Sequence, residues 1–282
     1  MQNLRTDEPR EEIVERMGWP EYNAYPAMRC SALKQGTKSM KHVRSAVMTP
    51  REDTDAMAWG RLVHCLLTEP KAVTEQWVPC DCGGRGTKKC ARAMEEAGGK
   101  EVIRETGALS LESALIACDA WLSEPTIQSL LLRAKPEVSG FIGEFGVQCK
   151  FRADAVKENR LIDFKTTREI EMEKFERQFI RLGYDIQLGL YERWLRRLLG
   201  YKAPMEVHVV CLENQPPFDV ADRMVPEPVR EFGERRGLRL LEQVRRCMDA
   251  DHWPGVGDGA VCVPEWAMDE GEDDGIDWGD AL

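Results

Sequence analysis

Polar and apolar residues alternate through the middle of the chain, and the alternation predicts strands over 137–147, 150–156 and 161–167, with a further strand over 205–213. Between the second and third of these, Lys157-Glu158-Asn159-Arg160 supplies turn chemistry, so the two form an antiparallel hairpin. Elsewhere the apolar spacing is helical. Met57, Leu62, Val63, Leu66 and Leu67 recur on one face behind a cap at Asp53-Thr54, and Pro70 ends the run. Ser110 opens a helix with Leu111, Leu115, Cys118 and Leu122 on its apolar face; after Pro125 a second runs through Ile127, Leu130 and Leu131 until Pro136 stops it. Helices are also predicted over 171–181 and 184–199, separated at Gly183, and over 227–250, the last rich in basic residues. Residues 1–25 form a short amphipathic lead-in, and Ser31 is expected to cap a basic segment running through Lys34, Lys38, Lys41 and Arg44, which reads as a solvated helix face with phosphate contact as the alternative. The order helix, three strands, helix, strand defines an α/β (α+β) core in which helices flank a mixed sheet.

The hairpin carries chemistry. In its second strand Asp163 and Lys165 are two apart and share a face, about 7 Å apart at strand rise, while Ile162 and Phe164 point to the other face. Asp154 on the first strand comes alongside them. An unpartnered charge on a half-buried strand costs several kcal/mol, roughly, so the grouping needs a reason. Two carboxylates and a lysine on adjacent strands are a minimal site for metal-assisted phosphodiester hydrolysis: the carboxylates offer hard oxygen ligands to Mg²⁺ or Mn²⁺. Lys165 would orient the attacking water, stabilise charge at phosphorus, or accept a proton if its pKa is depressed. The competing reading is a salt bridge on a solvated sheet face. Glu69-Pro70-Lys71 repeats the spacing, but Pro70 disqualifies it as a central strand.

The 282 residues, 43% of them hydrophobic, suffice for a full core, and no apolar run is long enough to span a membrane. The polar N-terminus has no signal-peptide pattern, and ten scattered cysteines suit a reducing compartment, so a cytoplasmic protein is expected. The net charge of −10 argues against a nucleic-acid enzyme until it is located: seven acidic residues lie from Asp269 onward with no Lys or Arg among them, which leaves about −3 for the body. Cys80, Cys82 and Cys90 lack both the usual ligand spacing and an obvious fourth ligand for zinc, and read as free thiols in a Gly-rich loop. His64, one turn beyond Gly60, reads on spacing alone as a structural histidine; Gly60 would let its helix approach another backbone closely.

Several stretches together resemble the PD-(D/E)XK nuclease superfamily, and within it the RecE-like (exodeoxyribonuclease VIII-like) exonucleases of phage recombination systems. Met57-Ala58-Trp59-Gly60-Arg61-Leu62-Val63-His64 is similar to a helix whose histidine ligates metal in RecB- and RecE-type nucleases. Cys149 to Asp154 and Leu161 to Thr167 resemble the catalytic hairpin, Tyr184 to Tyr191 the Gln-x-x-x-Tyr helix that braces the site against DNA, and Trp253-Pro254-Gly255 with Pro264-Glu265-Trp266-Ala267 the C-terminal ending. The resemblance implies a restriction-endonuclease-like core. It also implies catalytic parts for Asp154, Asp163, Lys165, Gln187, Tyr191 and Glu137, with Glu144 the alternative upstream acid. Metal ligation would fall to His64, Asp154, Asp163 and Phe164, for Mg²⁺ with Mn²⁺ able to substitute. The implied activity is digestion of linear double-stranded DNA from its ends, 5′ to 3′, leaving single strand for an annealing protein. The alternatives are an endonuclease or single-strand nuclease with the same site, and a non-catalytic DNA-binding module. A ring of three or four copies is expected, with Arg193, Arg196 and Arg197 lining a basic passage, one domain over 1–266, and an acidic, flexible tail over 267–282 in the cytoplasm of a bacterial host.

Overall fold

The computed structural model describes residues 4–49 and 53–257. Its strands are β1 (Glu12–Val14), β2 (Met28–Arg29), β3 (Trp77–Cys80), β4 (Glu101–Arg104), β5 (Lys135–Glu144), β6 (Val147–Lys157), β7 (Arg160–Thr167), β8 (Glu206–Glu213) and β9 (Val220–Met224). The main sheet runs β1-β5-β6-β7-β8-β9, with β2 paired to β6; β3 and β4 form a separate parallel pair. The sheet is mixed: β5, β6 and β7 are successive antiparallel neighbours, whereas β7 and β8 are parallel from Arg160↔Glu206 to Thr167↔Glu213. A parallel pair needs a crossover, and helices α9 (Met172–Arg181) and α10 (Tyr184–Leu199), named here in a set numbered from the N-terminus, provide it.

The other helices are α1 (Trp19–Ala24), α2 (Cys30–Leu33), α3 (Met40–Met48), α4 (Asp55–Thr68), α5 (Val73–Gln76), α6 (Lys88–Glu96), α7 (Leu111–Leu122), α8 (Pro125–Leu131) and α11 (Glu227–Ala250). They cover both faces. Along β8, Val207, Val209 and Cys211 face a core shared with α2, α3, α10 and α11, while Val210 and Leu212 face a second core shared with α4, α7 and α8. This two-sided burial explains why β8 reads as a continuous apolar run rather than an alternating one. No helix among the described residues is long and apolar enough to cross a membrane.

The predicted hairpin is present, and so are the six predicted helices, as α4, α7, α8, α9, α10 and α11. Thr54 caps α4 by accepting the Met57 amide, and Glu69-Pro70-Lys71 falls at the helix end and the turn that follows. Three expectations need correction. Ser31 lies inside the four-residue α2; the capping serine is Ser39, which accepts the His42 amide at the start of α3. On α7 the buried residues are Ala114, Ala117, Cys118 and Trp121, while Leu115 and Leu122 are exposed. The small alanines let α7 approach α4, where Trp121 meets Trp59 edge-on at 6.1 Å between ring centroids. The loop expected around Cys80 to Cys90 holds a strand end and the helix α6, with Thr87 as its cap. The C-terminal stretch from Pro264, the domain boundary at 266 and the acidic tail lie outside the described residues.

One helix crossing governs the site. A Cβ on Gly233 of α11 would stand 1.9 Å from the Asp185 carbonyl oxygen, and one on Gly189 of α10 would stand 2.4 Å from the Arg230 carbonyl oxygen. Backbone meets backbone here, with no flexible side chain to yield. Gly233→Ala gains about 1 kcal/mol of helix propensity but forces the helices apart at an overpacking cost of about 1–3 kcal/mol. We expect the clash to win and the melting temperature of Gly233→Ala to fall by several degrees in a thermal scan.

Candidate active site

The β6–β7 ladder is short. It pairs Lys157↔Arg160, Val156↔Leu161 and Ala155↔Ile162, and then stops. Beyond it the Phe164 amide donates to Asp154 Oδ2 at 2.7 Å, so a side-chain carboxylate stands where a strand carbonyl would otherwise be. The strand also turns over at this point: Ala153 faces the α10 core and Ala155, two residues on, faces the α4 core. Across from it, the β5–β6 register of Pro136↔Ala155 and Val138↔Ala153 sets Glu137 opposite Asp154. Glu137 has φ +50°, a left-handed value that is strained for a residue with a Cβ and is found disproportionately at functional sites.

From the other side α4 delivers His64. A Cβ on Gly60 would stand 3.3 Å from Thr166 Oγ1, so the glycine lets α4 lie close on β7, against a side chain rather than the expected backbone. His64 Nδ1 is 3.4 Å from Asp154 Oδ1, and its ring meets Phe164 edge-on at 6.0 Å. Among the described residues, His64, Glu137 and Asp154 form the one group of three or more potential metal ligands whose donor atoms all lie within 4.8 Å of one another. They border a cavity of about 220 Å³ whose walls also include Trp19, Arg61 and Arg152.

Asp163 is 1% exposed, which excludes the solvated-face salt bridge. Its Oδ2 is ion-paired with Lys165 Nζ, and its Oδ1 accepts from Gln187 Nε2 at 2.9 Å. Ile162 and Phe164 enter the opposite core, as the alternation requires. Burial disfavours every charge here and the neighbouring charges offset it. Burial raises the Glu137 and Asp163 carboxyls, and the negative Asp154 raises both further. Asp154 is buried too, but His64 and Lys165 outweigh that and hold it low. His64 is raised because Asp154 and Glu137 overcome the burial that would neutralise it. Lys165 is likewise raised despite burial, by Asp163 and Asp154, so its ammonium is retained and the proton-accepting role is not the one the geometry favours.

The sequence-predicted residues separate into three groups. His64, Glu137, Asp154, Asp163, Lys165 and Gln187 come together, but with an exchange: Glu137 takes the place beside His64 and Asp154 expected of Asp163, whose two oxygens face Gln187 and Lys165. Phe164 contributes its ring to the core and its amide to Asp154. Glu144 is far away, binding Arg193 and the Trp194 indole at 3.3 Å. Tyr191 shares the helix face of Gln187 but is buried against Phe151 at 5.2 Å between rings, part of the core rather than of a surface that braces DNA. The arginines do not flank the site. Arg193 pairs with Glu144 and Glu234, Arg196 donates to the Lys202 carbonyl, and Arg197 pairs with Glu11 and donates to the Gly143 carbonyl. Glu144 is seven residues along β5 from Glu137, about 24 Å at strand rise. Cys80, Cys82 and Cys90 pack in a small cluster of their own with Val102.

Two site residues escaped the sequence reading. Arg152 is ion-paired with Glu137 and lies over the Trp19 ring at 4.3 Å from its centroid; its position two before Asp154 on one strand was the available signal. Lys34 donates to Gln187 Oε1 at 3.3 Å, and only its membership of a basic segment pointed to it.

A splayed hairpin bearing Asp154 and Asp163-x-Lys165, with a histidine brought in by a helix, is the arrangement of the PD-(D/E)XK nuclease superfamily. Within that class the chain belongs to the family described as PDDEXK-like domain of unknown function (DUF3799), whose model matches residues 29–264. Among solved structures the fold is similar to a protein of Eubacterium rectale named "putative exonuclease", with a TM-score of 0.64 and 12% identity over 92% of this chain and 100% of that one. No curated protein matches the chain.

The grouping makes a measurable claim about His64 and Glu137. His64→Ala and Glu137→Gln should each weaken Mn²⁺ binding in calorimetry by about tenfold or more, since even the outer partners of metal ligands produce that loss. Both should shift the melting temperature of the metal-free protein little by comparison; unchanged Mn²⁺ affinity in both variants would return them to structural roles.

Proposed function

We propose that the chain is a divalent-metal-dependent deoxyribonuclease, an exonuclease that digests linear double-stranded DNA from its ends, 5′ to 3′. The observation that carries this reading is the convergence of His64, Glu137 and Asp154 beside the buried Asp163–Lys165 pair. The donor set suits a hard divalent cation: two carboxylates and one imidazole, crowded enough that burial and mutual repulsion raise the Glu137 carboxyl. His64, Glu137 and Asp154 would hold Mg²⁺, with Mn²⁺ able to substitute. When bound, such an ion acidifies its water and neutralises charge on a phosphate.

The chain's own residues supply the rest. Asp163 anchors Lys165, and Gln187 fixes Asp163 through its second oxygen, so the ammonium is held at the site without freedom to fold back into solvent. In that position it orients water and stabilises negative charge as it builds on the phosphate oxygens. Arg152 neutralises part of the Glu137 charge and so keeps the facing Glu137 and Asp154 carboxylates, 9% and 15% exposed, tolerable. Attack from the chain ends, the 5′ to 3′ direction, an annealing protein as partner, a ring of three or four copies, and residence in a bacterial cytoplasm are supported by the resemblance to RecE-like exonucleases. The name borne by the Eubacterium rectale protein supports the exonuclease reading.

Linear and closed circular duplexes, each strand end-labelled in turn, incubated with Mg²⁺ or with EDTA, test the proposal. Loss of the linear substrate alone, dependent on Mg²⁺ and releasing 5′ label first, is the expected result. Cutting of the circle would make the protein an endonuclease, and binding without cutting would make it a DNA-binding module. Lys165→Ala should lower kcat by about 10²–10³-fold, the scale for losing one preorganised charge at a reacting centre, while the protein stays folded. Robust turnover by that variant would refute the role given to Lys165.

A further inference from the structure

Lys34 is a lysine in the wrong place for structural reasons alone. It sits in the turn after α2, with its stem against the backbone at Gly183: a Cβ there would lie 3.1 Å from Lys34 Cδ and 3.2 Å from Cγ. Gly183 has φ +65° and begins α10, so the lysine stem passes over the entrance to the helix that carries Gln187. At its tip the ammonium is 5.1 Å from the centre of the Tyr184 ring, and Lys165 is 4.9 Å from the same ring. Gln187 joins the two lysines electrostatically: its amide oxygen accepts from Lys34 and its amide nitrogen donates to Asp163, the partner of Lys165.

What the ammonium lacks is an anion in direct contact; Asp163 and Asp185 act on it only from a distance. It has three donors, one of which reaches Gln187, and among the described residues no carboxylate lies within 4 Å of it. Burial and the neighbouring Lys165 pull its pKa down to about 8, and Cys30, Asp163 and Asp185 offset only part of that cost. A protein that held Lys34 only for its aliphatic stem would reach the same packing with Met or Leu and avoid that cost.

We propose that Lys34 is a second substrate-binding cation of the site and grips a phosphate of the nucleic-acid strand being cut, with Gly183 guiding its stem and Gln187 aiming its tip. The inference rests on the nuclease reading above and assigns Lys34 a role separate from that of Lys165. Lys165 is held in an ion pair with Asp163, whereas Lys34 has no carboxylate in contact among the described residues and keeps donors open to the substrate.

Lys34→Met keeps the stem against Gly183 and removes the charge; Lys34→Arg keeps the charge. Binding of an end-labelled duplex oligonucleotide in Ca²⁺, over a series of salt concentrations, reads the contact, and hydrolysis in Mg²⁺ reads its use. Lys34→Met should bind about tenfold or more weakly, the scale of a lost charged hydrogen bond, and raise KM more than it lowers kcat. Its plot of log affinity against log salt should be shallower by about 0.9, one phosphate contact, which a merely structural change would not alter. Lys34→Arg should recover most of the affinity and the slope. If the methionine variant does not fold, Lys34→Gln serves the same comparison. Wild-type affinity and slope in the neutral variant would overturn the assignment, and so would weaker binding with an unchanged slope. If wild-type protein binds the duplex but cuts no DNA, the nuclease reading fails while a shallower slope in Lys34→Met still upholds the phosphate contact.

Discussion

The substitution of a side-chain acceptor for a strand carbonyl, Asp154 taking the Phe164 amide, is the interaction on which the site depends. A regular ladder between β6 and β7 would have satisfied that amide with backbone and left Asp154 to point at one face of a closed sheet. With the carboxylate in the ladder's place, the strands part after three pairs and a gap opens in the middle of a fully covered sheet. A gap of that kind must be filled, because buried donors and acceptors without partners are costly. Here His64 enters from one layer, Gln187 from the other, and Glu137 from the neighbouring strand. Each of these brings its own support: Gly60 under His64, the glycine crossing behind Gln187, and Arg152 beside Glu137.

The hairpin chemistry was legible in the sequence because it is local. Period-two alternation fixes which residues of β7 share a face, and the structure keeps Asp163 and Lys165 together and Phe164 opposite. Helix caps with a side-chain oxygen, at Thr54 and Ser110, were legible for the same reason. Spacing could not show the reversal of β6, which turns Ala153 to one core and Ala155 to the other. For that reason Asp163 was expected beside His64 and Asp154, where the structure brings Glu137 instead. The short strands β1, β2, β3, β4 and β9 are two to five residues long, too brief for a pattern to stand out from its surroundings.

Charge was the least legible quantity. Arg193, Arg196 and Arg197 follow the Gln187 helix face in sequence and so read as neighbours of the site, yet the helix carries them about 9 to 15 Å along its axis from Gln187. At that distance they meet Glu144, Glu234 and Glu11, which sequence separations of 49, 41 and 186 residues had concealed. Lys34 shows the opposite error. It lies 153 residues before its partner Gln187, and a reading by local charge density could not separate it from Lys38 or Lys41, which lie nearby in the chain but away from Tyr184.

The span of these contacts bears on how the protein is made. Lys34 and Gln187 bracket every other member of the site, and Gln187 takes its position only when α10 is seated on α11, whose glycines end at Gly237. A chain still emerging from the ribosome can pair β5, β6 and β7, since their partners are close in sequence, but it has nothing to hold Asp163 from the far layer. Contacts between residues so far apart form late in folding, after the local ladder has paid for its own closure. The order of synthesis therefore separates the two: the hairpin can pair early, and the assembled constellation waits for α11 (Glu227–Ala250).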